Sequence, residues 1–430
     1  MAFRERTRRE EIVQSENMVV EGIDISGTWN RMYRPREITA YTPENIDKVA
    51  AVANAESMAW CYQCAKCVGV CPVDAAGGDY GPRKVYRRLQ TGMDLFNDSD
   101  LWLCTTCTNC LRVCPKQVDM VKIMPAVRAE AVLEGNVPDE LQEMFKNVGE
   151  YGNPMGESAR KRAKWIKKAD AEIRVLPKDP APVDVVWMVG DFWAYHERGQ
   201  DAARAMARVF NRLGTNFGVL GADERTDGDS QRLAGEPGLF EMMAEQNIAE
   251  LKKYEFERVV VSGPHAYNAM KNEYPKLGGS FEVDHYTQYL ARHMDKLTPL
   301  LTGKFEKKVT FHDPCYLGRH NGEYDAPRTL LQAVPGIQFQ ELPRCREQGY
   351  CCGGGGGGMW LDGLTAERTA ERLSENRVRE AVESGAEVLA VCCPYEVSRF
   401  EDAVKSISVG GQEAQLEVLD IIEILDRCMG

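Results

Sequence analysis

Three features are missing from this sequence of 430 residues. No apolar run reaches the roughly 18 residues that a membrane-spanning helix needs, so we expect no direct membrane span. The basic opening stretch MAFRERTRREE has no apolar region behind it, which argues against a secretory signal or an anchor. An excess of positive charge is also missing, since the net charge is −12, which argues against nucleic acid as the main partner. We therefore expect a cytoplasmic protein whose membrane association, if any, goes through a partner.

Cysteine, by contrast, is abundant, with 15 residues in the chain. Disulfide frameworks are typical of small secreted domains, and this chain is large and shows no export signal. Eight of the cysteines also fall in two tight groups with the spacing of metal ligands. We therefore expect metal ligation rather than disulfide bonds.

Both groups, CYQCAKCVGVCP and CTTCTNCLRVCP, follow the C-x2-C-x2-C-x3-C-P pattern of bacterial ferredoxins. In two-cluster ferredoxins, three cysteines of a run bind one [4Fe–4S] cluster and the fourth ligates the other. The predicted ligands are Cys61, Cys64, Cys67 and Cys114 for the first cubane, and Cys104, Cys107, Cys110 and Cys71 for the second. Two zinc sites are the alternative, but zinc ligands often come in C-x2-C pairs, which these complete ferredoxin runs disfavour.

Behind the cysteine runs, predicted strands alternate with predicted helices, which favours a parallel α/β sheet. The strands are VDVVWMV at 183–189, NFGVL at 216–220, RVVVSG at 258–263, KVTF at 308–311 and EVLAV at 387–391. Helices are expected up to Phe210, at 239–254, at 326–334 and, as one long helix, at 364–384. VVVSGPHAYN in the first half matches VLAVCCPYEV in the second, so two units of about 120 residues form an internal repeat.

The sequence thus predicts an α+β multidomain chain, in which a helical ferredoxin-like domain with two [4Fe–4S] clusters precedes two tandem, Rossmann-like α/β repeats. The predicted parts are an N-terminal arm at 1–55 with a helix start at Thr42-Pro43-Glu44, the two-cluster domain at 56–135, a helical linker at 136–182, and the repeats at 183–300 and 301–430.

Most of the remaining cysteines surround loops of the second repeat. They are Cys315 in HDPC, Cys345, Cys351 and Cys352 in YCCGGGGGG, and Cys392 and Cys393 in VCCPY, whereas Cys428 is expected to be unliganded. HDPC and CCPY follow predicted strands, and open α/β sheets place ligands at the carboxyl ends of strands. The glycines after Cys352 would let the backbone approach a cluster closely.

Two other interpretations of this region compete with a metal site. The thiols could form a redox-active or buried set without metal. A phosphate site in the glycine run is disfavoured, because the P-loop pattern requires Lys-Ser/Thr after the glycines and Met359-Trp360 stands there.

At this point the motifs resemble those of a known family. HDPCYLGRH, CCGGGGGGMW and VCCPYE are similar to the CCG domain of the B-type and D-type subunits of heterodisulfide reductase, and of iron–sulfur subunits of glycolate oxidase and glycerol-3-phosphate dehydrogenase. The N-terminal part, WCYQCAKCVGVCPV together with LWLCTTCTNCLRVCPKQVD, resembles the C-type subunit of the same enzyme. From residue 42 onward the chain resembles a fusion of the C-type and B-type subunits, similar to the D-type subunit.

In that family each CCG domain binds a noncubane [4Fe–4S] cluster through five cysteines. The resemblance implies that the second repeat supplies Cys315, Cys351, Cys352 and Cys393, with Glu396 at the fifth position. Either Glu396 ligates through its carboxylate, or Cys392 or Cys345 completes the set, or the cluster has four protein ligands.

The first repeat departs further from the family pattern. The residues at its five ligand positions are Asp191, Thr226, Asp227, Gly263 and Ala266. We therefore expect a pseudo-domain without a cluster, in which His265 is a core or interface residue rather than a ligand.

The resemblance implies an oxidoreductase subunit that passes electrons between the two ferredoxin-type clusters and the C-terminal site. The implied partner is a flavoprotein resembling the A-type subunit of heterodisulfide reductase, or a membrane cytochrome b. If the C-terminal site acts on a disulfide or thiol, its catalytic residues are Cys315, Cys351, Cys352 and Cys393, and His312 could donate a proton.

Other functions stay open at this level. The chain could link an electron-transfer flavoprotein, a membrane cytochrome b and quinone, or a benzoyl-CoA reductase-type complex. A non-catalytic redox sensor or scaffold is an alternative of a different class. Two cubanes placed for electron transfer disfavour a sensor, since a sensor needs only one labile site.

Overall fold

The structure, a computed structural model, describes residues 56–93, 95–409 and 415–430, together with Val19–Val20, Ile23–Asp24, Glu44 and Asp47. Strands β1 (Val19–Val20) and β2 (Ile23–Asp24) pair antiparallel. The rest of the predicted N-terminal arm lies outside the described residues, as does the predicted helix start apart from Glu44.

The cysteine-rich front end is helical. Its helices are α1 (Pro72–Ala75), α2 (Pro82–Gln90), α3 (Asn109–Val113), α4 (Met120–Leu133) and α5 (Asp139–Tyr151), with 3-10 turns at Glu56–Trp60 and Ser99–Leu103. Proline occupies the first position of α1 and α2, where its missing N–H costs no hydrogen bond. The Asp119 carboxylate caps α4 by accepting hydrogen bonds from the N–H groups of Val121 and Lys122.

The first α/β repeat contains a five-stranded parallel sheet in the order β3-β5-β4-β6-β7. The strands are β3 (Arg174–Val175), β4 (Val183–Met188), β5 (Phe217–Val219), β6 (Phe256–Val261) and β7 (Val283–His285). The helices are α6 (Asp191–Tyr195), α7 (Gly199–Arg212), α8 (Asp229–Leu233), α9 (Pro237–Leu251), α10 (Pro264–Asn268), α11 (Tyr286–Arg292) and α12 (Met294–Leu297).

The second repeat contains a four-stranded parallel sheet in the order β11-β10-β8-β9. The strands are β8 (Lys308–Phe311), β9 (Gln338–Phe339), β10 (Val388–Val391) and β11 (Glu417–Asp420). The helices are α13 (Asp325–Ala333), α14 (Asp362–Arg368), α15 (Leu373–Glu383), α16 (Glu396–Val409) and α17 (Ile421–Cys428). The predicted alternation of strands and helices in parallel sheets is confirmed.

The long helix predicted at 364–384 is wrong, because the chain breaks between α14 and α15. The cause is a tertiary contact, since the N–H groups of Ala370 and Glu371 both donate to the carbonyl of Ala76 at the end of α1. The two hydrogen bonds at this break therefore join the second repeat to the front end.

The stretch predicted as a helical linker, 136–182, is helical over α5 and in short 3-10 turns at Ala159–Lys161 and Lys164–Lys168. Its last part joins the first sheet as edge strand β3. Trp165 packs edge-on against Trp187 of β4, with ring centroids 5.5 Å apart.

Two apolar cores determine how these parts meet. One core is shared by the two sheets and includes Val185 of β4 and Val309 of β8. The other lies in the front end and includes Cys315, Tyr350 and Cys351 of the second repeat. Cys315 and Cys351 thus pack against the ferredoxin-type module. Among the described residues, every helix is too short or too polar to traverse a bilayer.

Candidate metal centres

The first ferredoxin-type group lies at the protein surface. Its four predicted ligands, Cys61, Cys64, Cys67 and Cys114, line one cavity of about 340 Å³. Cys64 is exposed, whereas Cys67 is buried. Gln63 and Ala65 adopt left-handed backbone conformations, with φ of 65° and 67°, which turn the chain around the cavity.

The second group is more deeply enclosed. Its four predicted ligands, Cys71, Cys104, Cys107 and Cys110, line a cavity of about 360 Å³. Thr106 and Thr108 repeat the left-handed pattern of the first group, with φ of 53° and 61°. In each group the fourth cysteine of one run faces the cavity of the other, as crossed ligation requires. A tetrathiolate set around each cavity fits a [4Fe–4S] cubane.

The thiols of Cys315, Cys351 and Cys352 converge at the carboxyl end of β8. Hydrogen bonds from the thiols of Cys107, Cys315 and Cys352 hold the pKa of Cys351 well below its usual range. The N–H of Gly353 also donates to Cys351 Sγ at 3.3 Å, and that of Gly354 to Cys352 Sγ at 3.5 Å. These hydrogen bonds favour the thiolate of Cys351, the form in which cysteine binds metal. The hydrogen bond to Cys351, and then burial, raises the pKa of Cys315 and of Cys352 well above its usual range.

Glu396 adds a carboxylate to these thiols. One ligand atom each of His312, Cys352 and Glu396 lie within 4.8 Å of one another, and all three residues are buried. Burial, and then the charge of Asp420, raises the pKa of Glu396 well above its usual range. Its Oε2 is buried and has no hydrogen bond of normal geometry within the described part of the chain. Such an atom beside thiols fits a metal ligand, since buried polar atoms are otherwise paired.

His312 fixes the other oxygen of that carboxylate. Arg377 Nε donates to His312 Nδ1 at 3.0 Å, so the imidazole proton is on Nε2. This nitrogen faces Glu396 Oε1 at 3.2 Å. Burial, and then the charge of Arg377, lowers the pKa of His312 well below its usual value, so the ring stays neutral.

The other cysteines of the second repeat differ in their surroundings. Cys392 is wholly buried in the apolar core, and its carbonyl accepts a hydrogen bond from His285 Nε2 at 3.1 Å. Partial burial, and then the Glu341 carboxylate, raises the pKa of the Cys345 thiol. Cys393 is buried and lines a cavity that it shares with the first repeat. Cys428 is buried in the core at the end of α17.

The glycine run brings the second and third groups together. A Cβ atom at Gly355 would lie 2.5 Å from the carbonyl oxygen of Thr105, and one at Gly356 would lie 2.5 Å from that of Cys104. The Thr105 hydroxyl donates to Cys351 Sγ, with Oγ1 and Sγ 3.3 Å apart. Glycine is therefore required because the loop of the second cubane lies directly on this backbone.

Sequence reasoning missed the polar residues that close this junction. Arg319 Nε donates to the Cys107 carbonyl at 2.7 Å, and its Nη1 donates to that of Gly349 at 2.6 Å. Tyr350 Oη donates to the carbonyl of Pro72 at 2.8 Å. Their partners are backbone atoms far away in sequence, so no motif marks them.

The first repeat presents no thiols, since residues 183–300 contain no cysteine. Asp191, at its first ligand position, forms an ion pair with Arg162 at 2.7 Å, and Arg162 also binds Glu224 at 2.6 Å. A buried salt bridge therefore occupies the place that a thiolate ligand has in the family pattern.

Comparison with family models places these sites in a known class. A model described as 4Fe-4S dicluster domain matches residues 50–118, and one described as cysteine-rich domain, CCG, matches 193–271 and again 309–395. The chain is thus an iron–sulfur protein in which a module for two [4Fe–4S] clusters precedes two CCG domains. The predicted pair of [4Fe–4S] clusters and the resemblance of both repeats to CCG domains are confirmed.

Curated relatives define the family more closely. The chain is 30% identical over 405 residues to the D-type subunit of the dihydromethanophenazine:CoB–CoM heterodisulfide reductase of Methanosarcina mazei, and the match covers 86% of this chain and 93% of that protein. The chain therefore belongs to the family of D-type heterodisulfide reductase subunits, which are iron–sulfur oxidoreductase components.

Two further relatives are longer proteins. The chain is 36% identical over 358 residues to the probable iron-sulfur-binding oxidoreductase FadF of Bacillus subtilis, covering 82% of this chain and 48% of FadF. It is 33% identical over 344 residues to EtfAB:quinone oxidoreductase of Syntrophomonas wolfei, covering 78% of this chain and 47% of that protein. The chain thus spans about half the length of these two relatives.

Proposed function

We propose that this chain is the electron-transfer subunit of a heterodisulfide reductase-like complex, in which electrons pass between the first cubane, the second cubane and a C-terminal cluster. The observation that carries the proposal is the contact of Cys351 with the loop of the second cubane, at 3.3 Å from Thr105 Oγ1. Because these two ligand-bearing loops are in contact, no other part of the protein separates the second cubane from the C-terminal site.

The cysteines of the three sites differ in burial, and this difference orders the proposed electron path from the surface to the interior. Cys64 of the first group is exposed, Cys104 and Cys107 of the second are buried, and Cys315 and Cys351 are buried behind them. The first cubane is therefore the terminal at which a partner exchanges electrons, and the C-terminal site is the inner terminal.

The surface at the first cubane supports partner docking. Trp60 and Tyr62 are each 58% exposed beside Cys61, and exposed aromatic side chains of this size are typical of interface anchors. Lys66 and Lys116 line the same cavity as the thiols. We propose that an acidic face of a flavoprotein resembling the A-type subunit of heterodisulfide reductase docks here, with a membrane cytochrome b as the alternative.

For the C-terminal site we propose a noncubane [4Fe–4S] cluster held by Cys315, Cys351, Cys352, Cys393 and Glu396. The orphaned Oε2 of Glu396 supports it as the fifth ligand over Cys392, which is packed in the apolar core. When bound, such a cluster supplies one-electron chemistry. His312 orients the Glu396 carboxylate, and the N–H groups of Gly353 and Gly354 stabilise the negative charge of the thiolates.

The division of the chain into domains is also part of the proposal. We propose an arm at 1–55, the two-cluster domain at 56–135, a linker at 136–182, and two repeats at 183–300 and 301–430. The strand orders of the two sheets are consistent with Rossmann-like repeats. We place the protein in the cytoplasm, associated with a membrane where its partner is a membrane protein.

Iron content and spectroscopy test the relay. Anaerobically purified protein is expected to hold about twelve irons per chain, since each of three clusters holds four. Cys315→Ser should lower this to about eight, whereas the matched control Cys428→Ser should keep about twelve. A colourless protein, or zinc in place of iron, would contradict the proposal.

The order of reduction is the second test. After mixing with a reduced flavoprotein, freeze-quenched electron paramagnetic resonance should show the two cubane signals before the C-terminal one. Cys64→Ser, which removes an exposed ligand of the first cubane, should delay all later signals. Reduction of the C-terminal site at an unchanged rate in Cys64→Ser would show that the first cubane lies off the path.

A further inference from the structure

Two arginine side chains at the second cubane have no acidic partner. Arg319 Nε donates to the Cys107 carbonyl at 2.7 Å, and Arg128 Nη2 donates to the Cys104 carbonyl at 2.7 Å. Both cysteines line the cavity of that cubane. Within the part of the chain that the structure describes, the charged neighbours of the two guanidiniums are thiols and tyrosines, and neither guanidinium forms a salt bridge with a carboxylate.

This arrangement is unusual for a buried cation. A guanidinium that leaves water is normally paired, because an uncompensated buried charge is costly. Arg162 of the first repeat shows the usual case, since it binds the carboxylates of both Asp191 and Glu224. The two positive charges at the second cubane therefore need another negative group close by. A cluster with four thiolate ligands supplies that negative charge when it is bound.

Arg319 lies between the second cubane and the C-terminal site. Its Nη1 donates at 2.6 Å to the carbonyl of Gly349, two residues before Cys351. Burial alone would lower the pKa of this arginine, but the thiolates of Cys107, Cys315 and Cys351 raise it above its ordinary value. Cys107 belongs to the second cubane and the other two cysteines to the C-terminal site. The charge of one guanidinium thus acts on both sites.

No neighbouring acid neutralises this charge. A Cβ atom at Gly349 would lie 3.4 Å from Asp313 Cβ and 3.6 Å from Arg319 Nη1, so Asp313 lies across that glycine. Arg328, however, already holds both carboxylate oxygens of Asp313, at 2.7 and 2.9 Å. Arg319 Nη2 is buried and has no hydrogen bond of normal geometry to a described residue. The positive charge of Arg319 therefore acts chiefly on the thiolates.

The first cubane has a different electrostatic environment. The cations that line its cavity, Arg83, Lys66 and Lys116, are all exposed. Water and dissolved salt screen exposed charges, whereas a charge in the interior acts more strongly over the same distance. An added electron is consequently stabilised more by Arg319 at the inner sites than by these three cations at the surface.

We propose that Arg319 is a tuning residue, which raises the reduction potentials of the second cubane and the C-terminal cluster above that of the first cubane. The inference rests on the proposed function for the C-terminal cluster and for the order of the sites. In the first internal step one electron leaves the first cubane, which is oxidised, and enters the second, which is reduced. Arg319 keeps its proton throughout, because a guanidinium stays charged in proteins. Electrons are therefore drawn from the surface into the protein.

The order of potentials in the wild-type protein is the first test. Anaerobic holoprotein is titrated with dithionite in the presence of redox mediators, and each cluster is followed by electron paramagnetic resonance. Cys64→Ser and Cys315→Ser assign the signals, because each changes one ligand of the first cubane or of the C-terminal cluster. The second cubane should become reduced at a higher potential than the first. Reduction of the first cubane at the higher potential would overturn the proposal.

Charge is then separated from hydrogen bonding. Arg319→Gln removes the charge, so the equilibrium constant for electron transfer from the first to the second cubane should fall by about ten- to hundredfold, each tenfold loss being about 59 mV. The potential of the C-terminal cluster should fall as well, while that of the first cubane stays unchanged. Arg319→Lys keeps the charge and should stay within about threefold of wild type.

The control is Arg160→Gln, which removes an exposed arginine and should leave all potentials unchanged. Equal losses in Arg319→Gln and Arg319→Lys would show that hydrogen-bond geometry sets the potentials, and would overturn the proposal. No loss in Arg319→Gln, or an equal loss in Arg160→Gln, would also overturn it. The order of potentials in wild type tests the proposal even if Arg319→Gln does not assemble its clusters.

The relay and the tuning residue can fail separately. If the C-terminal signal is absent but Arg319→Gln still lowers the potential of the second cubane, the relay is wrong and the tuning residue stands. If electrons reach all three clusters but Arg319→Gln leaves every potential unchanged, the tuning residue is wrong and the relay stands.

Discussion

Arg128 Nη1 donates a 2.7 Å hydrogen bond to the carbonyl oxygen of Gly356, which joins α4 of the front end to the glycine run of the second repeat. The same guanidinium binds the carbonyls of Leu101, Cys104 and Leu233 at 2.7 to 3.2 Å. One fully buried side chain thus links the second cubane loop with both repeats. Burial lowers the pKa of Arg128, since its hydrogen-bond partners are neutral carbonyls.

Arg128→Met should therefore destabilise the protein strongly. Methionine keeps the apolar part of the side chain but leaves four buried carbonyls unpaired, which should lower the free energy of unfolding by about 3–5 kcal/mol. Anaerobic denaturation in urea, followed by cluster absorbance, measures the change. The exposed Arg160→Met is the matched control and should stay within about 0.5 kcal/mol of wild type. Equal stability of the two variants would show that Arg128 does not hold the junction.

Gly355→Ala tests the backbone contact at the junction. The added Cβ would meet the Thr105 carbonyl at 2.5 Å, so the two loops must separate, at a cost of about 1–3 kcal/mol. We expect weaker magnetic coupling between the second cubane and the C-terminal cluster in electron paramagnetic resonance, and slower reduction of the latter. The control is Gly149→Ala, where a Cβ meets nothing within 4 Å. Unaltered coupling in Gly355→Ala would show that the clusters communicate elsewhere.

Glu396 can be tested by changing its ligand chemistry. Glu396→Ala should lower the iron content from about twelve to about eight atoms per chain, because the C-terminal cluster loses a ligand. Glu396→Cys should keep about twelve and shift the spectrum of that cluster alone. Cys345→Ser is the control and should match wild type. An unchanged spectrum in Glu396→Ala would exclude the carboxylate as a ligand.

Asp227 makes stability depend on pH. Its pKa is about 7 in the folded chain against an ordinary value of 3.8, so the folded state holds the proton more tightly than the unfolded state. The stabilisation is present below about pH 4 and is lost as the pH rises through about 7, by at most about 4 kcal/mol. Asp227→Asn should remove this loss, so its melting temperature should gain on that of wild type between about pH 5.5 and about pH 8. Parallel melting curves for the two proteins would contradict the shift.

The parts of this molecule that sequence could predict are those encoded locally. The spacing of Cys61, Cys64 and Cys67 identifies a ferredoxin run, and the three-residue offset from Cys393 to Glu396 singles out the carboxylate. The pairing of Thr105 with Cys351 joins residues 246 positions apart, and no local pattern encodes it. The helix break before Arg372 likewise follows from a contact with Ala76, in a segment with neither glycine nor proline. The cavity beside His265 arises from the meeting of two repeats, so it was visible only in three dimensions.

The contrast between exposed Cys64 and buried Cys107 also governs chemical vulnerability. Dioxygen and chelators reach the outermost cubane first, while the glycine run shields the inner centres. Air should therefore damage the first cubane before the other sites. The protein would then lose electron exchange with its partner while the buried sites are still intact.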